Sequence, residues 1–130
     1  MVRIGVDLVD IEKLSSAIAD YPRLAGRLFT PREIGYAESR RDPSQHLAAR
    51  LAAKEAVFKA LNSGWPYLSW QDVEVTSAGG PPTLELSGRV AEIAGRSRAS
   101  LSMSHAGGYA MAQVVMVEPE RPVSVEWFDV

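Results

Sequence analysis

An α+β fold, an antiparallel sheet covered by shorter helices and one long central helix, is predicted by three features of the chain. Two pairs of short alternating strands, 72–76 with 83–86 and 100–104 with 109–117, flank turns rich in glycine or proline and read as hairpins. A third strand-like run, Val2 to Val9, opens the chain. Between it and the first hairpin stand two helix starts marked by proline, the second leading into a long alanine-rich helical stretch. Hairpins with helices grouped between them define an antiparallel sheet with helical cover.

In the first strand Val2, Ile4, Val6 and Leu8 share one face, and Arg3, Gly5, Asp7 and Val9 the other. Asp7 thus lies opposite the main apolar row, beside a glycine that leaves room. Ile11, Leu14 and Ile18 mark a short amphipathic helix that ends near Tyr21-Pro22. Thr30-Pro31-Arg32-Glu33 places threonine at the N-cap, proline at the first position and glutamate at the third, a helix start that satisfies its own free amides. Asp42-Pro43-Ser44-Gln45 repeats the logic and opens a helix expected to reach Leu61, closed by Asn62-Ser63-Gly64. Ser87 is a candidate cap for a helix through Val90 and Ile93. The expected order is β-α-α-α-β-β-α-β-β, with residues 1–118 as one domain and 119–130 as a C-terminal tail broken by Pro119 and Pro122.

A chain of 130 residues suffices for one domain with its own core. Its net charge of −2 argues against an electrostatic nucleic-acid binder, which needs a basic excess. The absence of cysteine excludes thiol chemistry, disulfides and thiolate-bound metal, and favours a cytoplasmic setting. No run approaches the roughly 20 apolar residues of a membrane span.

On the long helix Leu47, Leu51, Phe58 and Leu61 form an apolar stripe, and the alanines at 48, 49, 52, 53, 56 and 60 form a broad small-residue face. Small side chains let another backbone approach closely. Glu55 and Lys59 lie between the two, one turn apart. Taken alone, that spacing describes a helix-surface ion pair worth about 0.2–0.5 kcal/mol. Lys54 falls within the apolar stripe, where a lysine usually snorkels along the edge of the core. Arg50 and His46, one turn apart on the far side, read as solvated. His105 follows an alternating strand and precedes a glycine pair. Two histidines cannot build a histidine-rich zinc site, so any metal here would take oxygen ligands, as Mg²⁺ or Mn²⁺ does. Two carboxylates, Asp7 and Glu55, with Arg50, Lys54 and Lys59 around them, have the composition of a site for a divalent ion and a polyphosphate together.

Four segments, taken together, resemble the holo-acyl-carrier-protein synthase family, the short 4′-phosphopantetheinyl transferases. They are Ile4-Gly5-Val6-Asp7-Leu8-Val9-Asp10-Ile11, Arg27-Leu28-Phe29-Thr30-Pro31-Arg32-Glu33, the run His46 to Ala60 containing Ala53-Lys54-Glu55-Ala56, and Ser102-Met103-Ser104-His105 with Tyr109-Ala110. The resemblance spans residues 4 to about 118 and implies the 4′-phosphopantetheinyl transferase fold. It also implies Mg²⁺-assisted transfer of the 4′-phosphopantetheine arm of coenzyme A to a serine of an apo acyl or peptidyl carrier protein, releasing 3′,5′-ADP, in fatty acid or polyketide biosynthesis. Asp7 and Glu55 would then be metal ligands, and Glu55, Lys59 and His105 catalytic. Arg50, Lys54, Lys59, Gly80, Pro82 and His105 would contact coenzyme A. Lys13, Arg23, Arg27, Leu28 and Phe29 would dock the carrier, and the chain would form a homotrimer with sites at subunit interfaces. Against the family pattern, Ser100 and Pro81 stand where a histidine and a basic residue are frequent, and Lys13 where arginine is. Those departures motivate the alternative of a coenzyme A or carrier-protein binding module without turnover.

Overall fold

The computed structural model describes residues 1–120, so the expected tail lies, from residue 121 onward, outside the described residues. Strand β1 (Val2–Asp10) runs directly into α1 (Ile11–Asp20), followed by α2 (Leu24–Leu28), α3 (Pro31–Glu38) and α4 (Pro43–Ala60). A 3₁₀ turn (Trp70–Asp72) leads into the hairpin β2 (Val73–Thr76) and β3 (Thr83–Leu86). Helix α5 (Gly88–Ala94) then precedes the hairpin β4 (Arg98–Ala106) and β5 (Tyr109–Val117). The predicted α+β class holds. The strands form two separate antiparallel sheets, one in the order β1-β5-β4 and one of β2 with β3. Helix α2 is an element beyond the expected order.

Local chemistry sets the boundaries. The Asp10 side chain caps α1 by accepting from Lys13 N. Thr30 and Glu33 form the full capping box of α3, and Asp42 accepts from Gln45 N at the start of α4. Gly107 and Gly108, with φ of 57° and 83°, make the two-residue turn between β4 and β5. That reversal needs left-handed backbone at both positions, and only glycine takes it freely.

Helix α4 lies across β1 and β5. Its alanines 52, 53 and 56 are fully buried against Ala112, Val114 and Met116 of β5. The approach to β1 is closer still. A β-carbon on Gly5 would sit 1.8 Å from the carbonyl oxygen of Ala56. The face of β1 that meets the helix is therefore the Gly5, Asp7, Val9 face. The apolar row Val2, Ile4, Val6, Leu8 points away from the core and is 50–60% exposed. Tyr109, Met111 and Val117 of β5 continue that outer apolar face.

Candidate active site

Asp7 is the next residue after Gly5 on the inner face of β1, so the close packing at Gly5 brings its carboxylate up to α4. Lys59 donates from Nζ to Asp7 Oδ1 at 2.8 Å and to the Val6 carbonyl at 3.1 Å. The Asp7 side chain is 9% exposed and that of Lys59 57%. The expected Glu55–Lys59 surface pair is thus displaced: the lysine reaches across to the strand. Asp7 Oδ2 is buried and has no donor. The Glu55 carboxyl is pushed up to about 7, first by burial, then by the adjoining Asp7 carboxylate, with Lys59 opposing. Lys59 is itself raised by its bond to Asp7.

Two adjoining carboxylates, one with an orphan oxygen and the other reluctant to ionise, are chemically suited to a divalent cation, which would satisfy both. Among the described residues there is no group of three or more His, Cys, Asp or Glu that could hold a metal. Two protein carboxylates leave the remaining positions to water and phosphate, the usual habit of Mg²⁺.

A second cluster lies around Arg50, which is 1% exposed rather than solvated. Its Nη1 donates to the His46 carbonyl at 3.3 Å and its Nη2 to Ser77 Oγ at 3.1 Å, while Nε is buried and unpaired. Its guanidinium lies 4.2 Å from the centre of the Tyr36 ring, and that of Arg40 4.6 Å from the same ring. Burial lowers the Arg50 pKa. Burial lowers that of His46 too, helped by Arg50 and Arg40. Ser77 opens the turn between β2 and β3, so Arg50 is tied to the segment carrying Gly80, which is exposed, and Pro82, which is half-buried. No sequence signal marked Tyr36 or Ser77.

His105 sits at the end of β4, in register with Ala110, whereas Asp7 pairs with Ala112. Two strand spacings, about 10 Å, therefore separate their strands. His105 lines an open cavity of about 410 Å³ with Glu12, Ser15, Asp42, Gln45 and Gly108. Ser100 occupies the opposite, outer face of β4, so the histidine absent there would not have lined this cavity.

Two expectations are corrected. Lys54 is fully buried and cannot line a coenzyme A surface; its ammonium pairs with Glu33 at 2.7 Å. Leu28 and Phe29, 7% and 0% exposed, pack in the core with Leu14 and Ala48 and are not available for docking. Lys13, Arg23 and Arg27 are exposed, and Arg23, Arg27, Leu24 and the exposed Tyr21 line a shallow pocket at the α1–α2 corner.

A half-buried carboxylate pair, an exposed ammonium bonded to it and a separate arginine–tyrosine cluster are the chain's candidate machinery, and comparison identifies its family. Residues 3–114 match the model of the 4′-phosphopantetheinyl transferase superfamily. The chain is 43% identical over 122 residues to a holo-[acyl-carrier-protein] synthase of Moorella thermoacetica, covering 91% of this chain and 94% of that one. It is 46% identical over 120 residues to another from Clavibacter sepedonicus, covering 88% and 95%. The fold superposes on an ACPS–CoA complex from Chronobacterium ammoniagenes with a TM-score of 0.82 at 28% identity, over 92% of this chain and 99% of that one. For the holo-[acyl-carrier-protein] synthase of Neisseria meningitidis the TM-score is 0.79 at 31% identity, over 91% and 100%. The chain belongs to the 4′-phosphopantetheinyl transferase superfamily.

Proposed function

We propose that the chain is a holo-acyl-carrier-protein synthase. It moves the 4′-phosphopantetheine arm of coenzyme A onto a serine of an apo carrier protein. The serine oxygen forms a bond to the β-phosphorus, the bond from that phosphorus to the bridging oxygen breaks, and 3′,5′-ADP leaves. The observation that carries the reading is the Asp7–Glu55–Lys59 constellation in a chain so similar to synthases along its length.

Asp7 and Glu55 would hold Mg²⁺. Bound there, the ion would act as a Lewis acid on the pyrophosphate and offset charge gathering on the leaving oxygen. Lys59 is exposed enough to turn from Asp7 to a phosphate oxygen, where a compact ammonium suits developing negative charge. The Gly80–Pro82 turn would take the nucleotide end and lie beside the adenine, with Arg50 buried beneath it and holding that turn through Ser77. The serine proton needs an acceptor, and Glu55 stands beside Lys59 and Asp7. His105 of the same protomer is two strands away. Lys13, Arg23 and Arg27 offer an acidic carrier a local basic surface on a net acidic chain.

The site is best completed by a second copy. The outer face of β1 and β5 is a mostly apolar surface, broken by Gln113 opposite Val6, of the kind that marks an interface. His105 also borders it, lining a small apolar pocket with Leu8, Tyr109 and Met111. A homotrimer packed through that face would set one protomer's His105 beside its neighbour's β1. Coenzyme A and an apo carrier protein as substrates suit an enzyme working in the cytoplasm. No helix among the described residues is long and apolar enough to cross a membrane.

The test is transfer itself. An apo carrier incubated with coenzyme A, Mg²⁺ and the protein gains the mass of one phosphopantetheine group. Glu55→Gln lowers the rate by about 10² or more, and Lys59→Ala does likewise. If coenzyme A and the carrier each bind but no mass is gained, the binding-module reading takes its place.

A further inference from the structure

Among the described residues, Lys54 and Glu33 are the two buried charges that the transfer chemistry does not use. Lys54 spends all three of its N–H donors: on Glu33 Oε1 at 2.7 Å, on the Trp70 carbonyl at 2.9 Å and on the Val73 carbonyl at 2.5 Å. Glu33 is equally committed. Its Oε1 also accepts from Thr30 N at 2.9 Å, and its Oε2 from Val75 N at 3.0 Å. One ion pair thus joins the start of α3, the middle of α4, the 3₁₀ turn and β2. The surroundings are apolar, with Phe29 fully buried and its ring centre 5.8 Å from the ammonium.

Stability alone gives little reason for this arrangement. A buried ion pair gives up its hydration, and apolar residues of similar volume often replace one without loss. Such residues do lack direction. The alanine-rich face of α4 offers few protrusions to stop the helix turning or sliding on the sheet. The functional groups of α4 point to two sides: Arg50, one turn before Lys54, faces Ser77, while Glu55 and Lys59 face β1. Since Glu55 follows Lys54 at about 100° of helical rotation, an anchor at Lys54 fixes the direction in which Glu55 points.

We infer that the Glu33–Lys54 pair is a positioning device. It sets the rotation of α4 so that Glu55 and Lys59 meet Asp7 at one end of the site while Arg50 meets Ser77 at the other. This rests on the transferase reading, with Asp7 and Glu55 as the metal-binding pair. Glu33 and Lys54 are positioning residues and touch no substrate.

The experiment compares the wild-type protein with the Glu33→Leu/Lys54→Met double variant. Thermal unfolding reports the fold, electron paramagnetic resonance titration reports Mn²⁺ affinity, and calorimetry reports 3′,5′-ADP affinity. The expected result is a cooperatively folded variant, less stable than wild type because Thr30 N, Val75 N and the Trp70 and Val73 carbonyls lose their partners, whose Mn²⁺ affinity falls by about 10-fold or more, the range seen when the supports of metal ligands are removed. A folded double variant that binds Mn²⁺ and 3′,5′-ADP as wild type does would overturn the inference. If the double variant does not fold, Glu33→Gln decides, because it keeps the acceptor for Val75 N and removes the charge facing Lys54. It should unfold cooperatively and bind Mn²⁺ more weakly, and unchanged affinity would again overturn the inference. Wild-type protein that transfers while the variants bind normally removes only the positioning role. Wild-type protein that neither binds Mn²⁺ nor transfers removes the functional reading and this inference with it.

Discussion

Gly5 is the residue on which the site's geometry depends. With the Ala56 carbonyl 1.8 Å from where a β-carbon would sit, Gly5→Ala must push α4 away from β1. The expected cost is about 1–3 kcal/mol from overpacking. Because Asp7 and Glu55 lie on the two surfaces being separated, Mg²⁺ affinity should fall with it, which thermal unfolding and a metal titration read independently. The carboxylate pair makes a separate prediction. The folded value of Glu55, about 7, stands above its ordinary 4.5. Between those values the folded chain keeps a proton that the unfolded chain has released. In the metal-free protein this contribution to stability is full below about pH 4.5 and is lost as pH rises through about 7. Glu55→Gln should flatten that part of the melting-temperature profile, and an unaltered slope would contradict the assignment. The alternation of β1 made Asp7 legible in the sequence, as did the room beside Gly5. That Lys59 bonds to Asp7 and not to Glu55 was not, because helix spacing reports only neighbours on the same helix.

Helix α4 shows both the reach and the limit of periodicity. Its start at Asp42-Pro43 and its alanine face are plain in the sequence, and the helix ends within a residue of the expected place. The burial of Arg50 and Lys54 is hidden from periodicity because the helix is covered on more than one side. The sheet takes the alanines, while α3 and β2 cover Arg50 and Lys54. A pattern read for one buried face treats charges on the other as solvated. Nothing in a lysine's position says whether a glutamate from another element will meet it. Glu33 was legible as a capping residue, yet its second role, accepting from Val75 N and Lys54, is tertiary. Helix α2 escaped notice because five residues between Pro22 and Thr30 are too few to show a period. The cap of α3 gives a prediction at this scale. Thr30→Ala removes the acceptor for Glu33 N and a hydrogen bond to Glu74, and should cost about 1 kcal/mol, read as a lowered denaturation midpoint with transfer largely retained.

For the whole molecule, the outward-facing apolar row of β1 matters most. An alternating strand shows which residues share a face but not which face meets the protein's own core. Here the backbone contact at Gly5 turned the small face inward and left Val2, Ile4, Val6 and Leu8 outside. If copies of the chain cover that face and share sites across it, Val6→Lys should give a folded protein of lower mass in sedimentation, with transfer reduced about 10-fold or more, the cost of a displaced site. An unchanged mass would count against the trimer while leaving the chemistry standing. That chemistry is tested most directly by the mass of an apo carrier protein after incubation with coenzyme A, Mg²⁺ and the purified chain. A gain of one phosphopantetheine on the carrier serine, together with release of 3′,5′-ADP and loss of both with Glu55→Gln, is the predicted result. Carriers that keep their apo mass under those conditions, across fatty-acid, polyketide and peptide-synthesis types, would contradict it.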